Sequence, residues 1–205
     1  MKKIKGGVQQ NGPFVHLYSQ REKGIMTIES IIQGCQQGDS EARRELYQRY
    51  ATAMFSLVRR YVRVRAAAED VFHDGFVLVY TKIDTYDHRG SFEGWLRRIF
   101  VNAALNHLRE EGRMDEVDED LGSLPPGTTG GAPPEALGRI GDRELMELME
   151  ELPPGFRTIL NLHAVEGYSY PEIAEMLDVS EATCRSQFLR ARRRLAQLIE
   201  ENEKR

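Results

Sequence analysis

Ser169-Tyr170-Pro171-Glu172-Ile173-Ala174 opens the stretch that decides the fold, and Asp178-Val179-Ser180-Glu181-Ala182-Thr183-Cys184 continues it. Ser169 and Glu172 have the S-x-x-E spacing of a capping box. The serine covers the third helical amide, and the glutamate reaches back to the serine. Ile173, Ala174 and Leu177 then point inward from one short helix. Asp178-Val179-Ser180 spells a three-residue turn. Ser180 is a favoured N-cap, and Glu181 suits the positive end of the helix that follows. A short helix, a tight turn and a second helix make the helix-turn-helix plan.

Projection of the second helix at about 100° per residue separates two faces. Cys184, Phe188, Ala191 and Leu195 share a narrow stripe, the expected core face. Ala182, Thr183, Ser186, Arg190 and Arg193 fall opposite. Small residues near the N-terminus let a helix sink into the major groove, and arginines fork onto guanine edges or grip phosphates. Arg185, Arg192 and Arg194 flank that face and suit phosphate contacts. The bland alternative, a surface helix with solvated arginines, is outweighed by the cap, the turn and the two-faced projection together.

Upstream, the pattern is helical throughout. Gly38-Asp39-Ser40 supplies a break and an N-cap for a long helix carrying Leu46, Tyr50, Met54, Leu57, Val58 and Tyr61 at three- and four-residue spacing. A second helix is expected from about Ala66 to Ile83, with Phe72, Phe76, Val79 and Tyr80 on one side. A third is expected from about Ser91 to Glu110, burying Phe92, Trp95, Leu96, Ile99 and Ala103. The period stops over 111–138, where an acidic run gives way to Pro125-Pro126-Gly127, Gly130-Gly131 and Pro133-Pro134. It resumes with Leu145, Leu148, Met149 and Leu152. Past Pro153-Pro154-Gly155 it continues with Phe156, Ile159, Leu160 and His163, before Gly167 as a C-cap. The fold class expected is all-α: two small helical domains joined by a flexible acidic Gly/Pro-rich linker.

The net charge of −4 over 205 residues conceals segregation. Glu110–Asp120 is acidic, whereas Arg185–Arg194 carries arginines and no acid. A basic face on an acidic chain is the electrostatic footprint of a nucleic-acid partner. Cys35 and Cys184 form no disulfide framework, and no apolar run is long enough for a membrane helix. A basic start without an apolar stretch after it does not spell a secretory signal. A cytoplasmic protein with reduced thiols and no membrane insertion is expected. His16, His73, His88, His107 and His163 show no metal spacing with the cysteines, and no P-loop, Rossmann or G-x-S-x-G signature is present. No catalytic residue, metal or cofactor is therefore expected.

Both halves resemble the extracytoplasmic-function (ECF) type of sigma factor, the promoter-specificity subunit of bacterial RNA polymerase. The marks are Glu69-Asp70-Val71-Phe72-His73-Asp74-Gly75-Phe76 and Ser91-Phe92-Glu93-Gly94-Trp95-Leu96-Arg97-Arg98-Ile99. They continue with Leu152-Pro153, Phe156-Arg157, Glu166-Gly167-Tyr168-Ser169, Glu172-Ile173-Ala174 and Arg190-Ala191-Arg192. The resemblance covers about residues 27–110 and 140–198. His73 replaces the family's common glutamine, Asn106 its common aspartate and Asp178 its frequent glycine. Aspartate tolerates the left-handed conformation, so the turn survives.

Composition predicts a disordered tail over 1–25 and a flexible linker over 113–139, and the resemblance implies an N-terminal sigma domain over 26–112 and a C-terminal sigma domain over 140–205. It implies that Asp70, Phe72, His73 and Phe76 dock core RNA polymerase, the alternative for Phe72 and Phe76 being plain core. It assigns Tyr86, Asp87, His88, Arg89, Phe92, Arg97, Arg98, Asn102 and Arg109 to the −10 element of promoter DNA. In that family this segment captures a flipped non-template base. Tyr86, His88 and Phe92 would offer flat surfaces, and Arg97, Arg98 and Arg109 would hold phosphates. It assigns Ser169, Glu172, Thr183, Arg185, Ser186, Arg190 and Arg193 to the −35 element. An anti-sigma factor is a further expected partner. The acids from Glu116 to Asp120 are expected to compete with DNA for the basic faces. The rival reading, a free-standing helix-turn-helix regulator, explains the C-terminal half and leaves the first half without a role.

Overall fold

A computed structural model describes residues 26–112 and 142–204, and all its regular structure is helical. The expected tail and the acidic linker, with its masking role, lie outside the described residues.

The first unit holds α1 (Ile28–Gln36), α2 (Ser40–Tyr61), α3 (Arg65–Lys82) and α4 (Phe92–Glu110). Each start but α3's has a side-chain cap. The Thr27 hydroxyl accepts the Ser30 amide at 3.2 Å, Asp39 accepts that of Glu41 at 2.8 Å, and Ser91 that of Gly94 at 3.0 Å. These caps satisfy amides that the helix itself leaves bare. Between α1 and α2 the chain reverses through Gly38 at φ 77, a conformation that costs glycine little.

The core of this unit is built on rings. Phe100 of α4 is fully buried and meets Phe76 of α3 at 5.2 Å and Phe72 at 6.1 Å between centroids. Tyr47 and Phe55 of α2 close the group from the other side. Gly75 is what lets α3 come this near: a Cβ there would stand 2.3 Å from the Phe100 ring. Edge-to-face pairs of this kind add to area burial by about 0.5–1.5 kcal/mol each.

The second unit holds α5 (Asp142–Glu150), α6 (Pro154–Leu160), α7 (Tyr170–Leu177) and α8 (Glu181–Glu203). Leu148, Met149, Leu152, Phe156, Ile159 and Leu160 are buried, as the period predicts. The helical period then fails. Asn161–Val165 winds as a π turn, with the Glu166 amide donating to the Asn161 carbonyl at 2.8 Å. The wider turn takes His163 off the expected apolar stripe. Its ring is half-buried, stacks on Tyr170 at 4.3 Å and hydrogen-bonds the Tyr168 carbonyl at 2.8 Å. π turns recur at functional positions in helices.

Candidate nucleic-acid interface

The α7–turn–α8 pair forms as its sequence spells it. The Glu172 carboxylate accepts the Ser169 amide at 2.8 Å and the Ser169 hydroxyl at 2.6 Å. These two bonds, with Arg98 adding attraction, hold the Glu172 carboxyl below the usual carboxylate range. Asp178 sits at φ 56, ψ 46, the left-handed region that the family's glycine would occupy. Ser180 caps α8 by accepting the Thr183 amide at 3.0 Å.

The core face of α8 carries Cys184, Ala191 and Leu195, all buried, with Phe188 half-buried. Burial raises the Cys184 thiol, which is a packing group here. Gln187 is also buried, an addition the projection did not make. On the opposite face Ala182 and Ser186 are exposed, while Thr183, Arg190 and Arg193 are half-buried. Arg185 stands out beside them, 3.2 Å from Glu181, with its guanidinium 5.0 Å from the Tyr170 ring centre. Arg190 Nη1 and Arg193 Nε are buried donors that meet no acceptor among the described residues. The small N-terminal residues followed by arginines give this face the form of a groove-entering helix.

In the first unit, the loop before α4 turns through His88 at φ 61 and Gly90 at φ 83. Asp87 accepts the Arg89 amide at 3.0 Å, and Arg89 itself extends into solvent. Tyr86 and Phe92 do not present open faces. They are 8% and 6% exposed and pack in an aromatic cluster with Trp95 and Tyr50. The Tyr86 hydroxyl is fastened to the Gly90 carbonyl at 3.0 Å. Buried aromatic area outweighs an open ring here, and His88, exposed and 4.7 Å from Tyr86, is the flat side chain left to solvent. Arg98 and Asn102 are exposed on α4.

On α3, Asp70 and His73 face solvent, whereas Phe72 and Phe76 lie in the ring cluster. The apolar side of α3 is thus core. Val77, 62% exposed, is an apolar residue on the open side that spacing alone did not single out.

Sequence reasoning also missed a seam between the two units. Glu166, just past the π turn, sends its carboxylate into the first unit, and its side chain is 2% exposed. One oxygen accepts from Arg60. The other accepts from Arg97 Nε at 3.0 Å and Nη2 at 2.7 Å. Asn161 Nδ2 donates to the Arg60 carbonyl at 3.0 Å. Arg109 donates to the Met176 carbonyl on α7 and, at 2.6 Å, to Asn106. Burial pushes up the hydroxyl pKa values of Tyr61 and Tyr168, and the Glu166 charge raises both further. The partners of Glu166 lie 106 and 69 positions away, a separation no local pattern encodes. Among the described residues no group of His, Cys, Asp and Glu could hold a metal ion, and no helix is long and apolar enough to cross a membrane.

Comparison with known proteins places both units. The Sigma-70 region 2 family matches residues 46–114, and the Sigma-70 region 4 family matches residues 142–195. The ECF RNA polymerase sigma-E factor of Haemophilus influenzae is 32% identical over 183 residues, spanning 85% of this chain and 96% of that protein. The ECF RNA polymerase sigma-E factor of Escherichia coli K12 is 33% identical over 179 residues, spanning 82% and 91%. A solved Bartonella quintana sigma factor RpoE, in complex with the anti-sigma factor NepR, superposes with a TM-score of 0.50 at 20% identity, over 77% of this chain and 96% of that one. That likeness shows the shared fold. With both regions matched in order and curated relatives aligned across the seam, this chain belongs to the ECF family of RNA polymerase sigma factors.

Proposed function

We propose that the described surfaces divide the work of a promoter-specificity subunit as follows. The N-terminal half of α8 enters the major groove of the −35 element. Thr183, Ser186 and Arg190 face base edges, and Arg185 and Arg193 take phosphates. Ser169 and Glu172 hold the preceding helix at the angle that seats α8. The 86–92 loop and α4 engage the displaced −10 strand. Asp87, His88 and Arg89 stand at the loop tip, Tyr86 and Phe92 form the wall behind it, and Arg97, Arg98, Asn102 and Arg109 lie along the helix. The open side of α3, with Asp70, His73 and Val77, docks on core polymerase over the rings of Phe72 and Phe76.

The observation that carries this reading is the two-faced α8, with small residues and arginines opposite a sealed core. The protein acts in the cytoplasm, without catalysis of its own, and an anti-sigma factor is a further partner. The solved relative bound to its anti-sigma factor supports that last assignment.

Run-off transcription with purified core polymerase on fragments of the host genome tests the reading. Transcripts that need this protein are expected. Tight duplex binding with no transcripts and no association with core polymerase would favour the free-standing regulator. Within the assay, Arg190→Ala is expected to cost about 1–3 kcal/mol of promoter binding, on the order of five- to hundredfold, with polymerase affinity unchanged. Loss of polymerase affinity would show that this face is misassigned.

A further inference from the structure

Glu166 is a charged carboxylate in a position that water barely reaches, and its partners belong to the other helical unit. A buried charge is tolerated only when paired, and removing one partner is far more damaging than removing an exposed one. Glu166 is paired twice, and Arg97 approaches it with two nitrogens. Its place is set by the π turn. The extra residue brings the Asn161 side chain and the Glu166 carboxylate to the same helix end, where one takes the Arg60 carbonyl and the other the Arg60 guanidinium. Arg109 reaches the Met176 carbonyl from the same helix as Arg97. Arg98, between them in the chain, lies near enough to act on both Glu172 and Tyr168.

Arg97, Arg98 and Arg109 are the arginines of α4 assigned above to phosphates of the −10 strand. Arg97 and Arg109 bond groups of the second unit, and Arg98 lies near enough to act on it. A carboxylate that takes both nitrogens on one edge of an arginine occupies the fork that a phosphate would use.

We infer that Glu166 is an intramolecular clamp. It closes region 4 onto region 2, stands in for DNA phosphate at Arg97, and must release before the −10 surface can take a strand. The inference rests on the assignment of Arg97 to that surface. Closing holds the protein off DNA while it is free. Docking on polymerase opens it.

The test is a distance measurement with a binding assay beside it. Donor and acceptor dyes go on Lys82→Cys and Gln197→Cys, both exposed positions. The native Cys35 and Cys184 are buried and their thiols are raised, Cys35 to about 11, so neither competes for label at neutral pH. Glu166→Gln keeps the shape and removes the charge. It is expected to lower energy transfer and shift the closed–open ratio at least about tenfold toward open. It is expected to tighten binding of an unstructured single-stranded DNA oligonucleotide by a similar factor, since an open clamp no longer taxes binding. Transcription by the assembled holoenzyme should stay near wild type.

Should Glu166→Gln fail to fold by circular dichroism, Arg60→Ala carries the same test from the more exposed partner. Unchanged energy transfer in a folded variant overturns the clamp. Opening without a gain in DNA binding overturns its masking role. Absence of polymerase-dependent transcripts from the wild-type protein would instead overturn the assignment of function, and the distance measurement is blind to that failure.

Discussion

The two helical units solve the same problem with different materials. The first fills its interior with rings and aliphatic side chains; every buried polar or charged residue among those described lies in the second. Arg157, Thr158, Asn161 and Gln187 are all nearly inaccessible there. A ring cluster is satisfied by contact alone, whereas a buried amide or guanidinium needs a partner of defined geometry. Asn161 finds one of its partners in the other unit, at the Arg60 carbonyl. The first unit's ring core is therefore held by contacts of its own, whereas part of the second unit's interior is completed by the first. A unit built that way gives up something when the two separate.

The comparison is broken most directly at its strongest point. Phe100→Ala removes a fully buried ring that touches Phe72 and Phe76 across two helices. A loss of about 3–5 kcal/mol in denaturant unfolding is expected. Amide exchange should accelerate in α2, α3 and α4 first. A loss under about 1 kcal/mol would mean that the ring cluster is not what holds the first unit.

Asn161→Ala probes the other material. It strands the Arg60 carbonyl and opens a small void beside the π turn. About 1–3 kcal/mol is expected, the cost of leaving a buried group unpaired. Hydrogen exchange should show where it falls: faster in α6 and the π turn, unchanged in α3 and α4. Equal acceleration in both units would show that they unfold as one body, and the contrast between them would dissolve.

Local chemistry made much of this legible in the sequence. Asp39, Ser91 and Ser180 cap helices because a side-chain oxygen beside bare amides has one good use. Asp178 takes the left-handed turn for an equally local reason, and the α8 stripe of Cys184, Ala191 and Leu195 follows from periodicity. What stayed hidden depends on packing between distant segments. Spacing buries Phe92 but not Tyr86, which lies outside the helix and packs back on Phe92 and Trp95. No propensity distinguishes Asn161–Val165 as a π turn. Glu166 was visible as part of a motif, but its partners Arg60 and Arg97 are set by how the two units meet.

The smallest effect gives the finest reading of that meeting. Glu172 has its carboxyl held below the ordinary value of 4.5, first by the Ser169 hydroxyl and amide and then by Arg98. A carboxyl depressed on folding stabilises the protein wherever it is ionised. The contribution is whole above the unfolded value and disappears as pH falls through the folded one. The capping box of α7 is thus intact at neutral pH and loosens below pH 4.5. The pair is exposed, so solvent screens it, and the cap as a whole is worth at most about 1 kcal/mol. A carbon-detected titration of the Glu172 carboxyl resolves what a melting curve cannot. Ser169→Ala should return the midpoint part of the way to the ordinary value, since it removes the hydroxyl, the largest cause, and leaves the amide in place. Glu166→Gln should move it upward by a smaller step, because Arg98 belongs to the first unit and departs when the seam opens. A midpoint that ignores Glu166→Gln would show that Arg98 stays beside Glu172 with the clamp removed, so that the two units remain together through something other than Glu166.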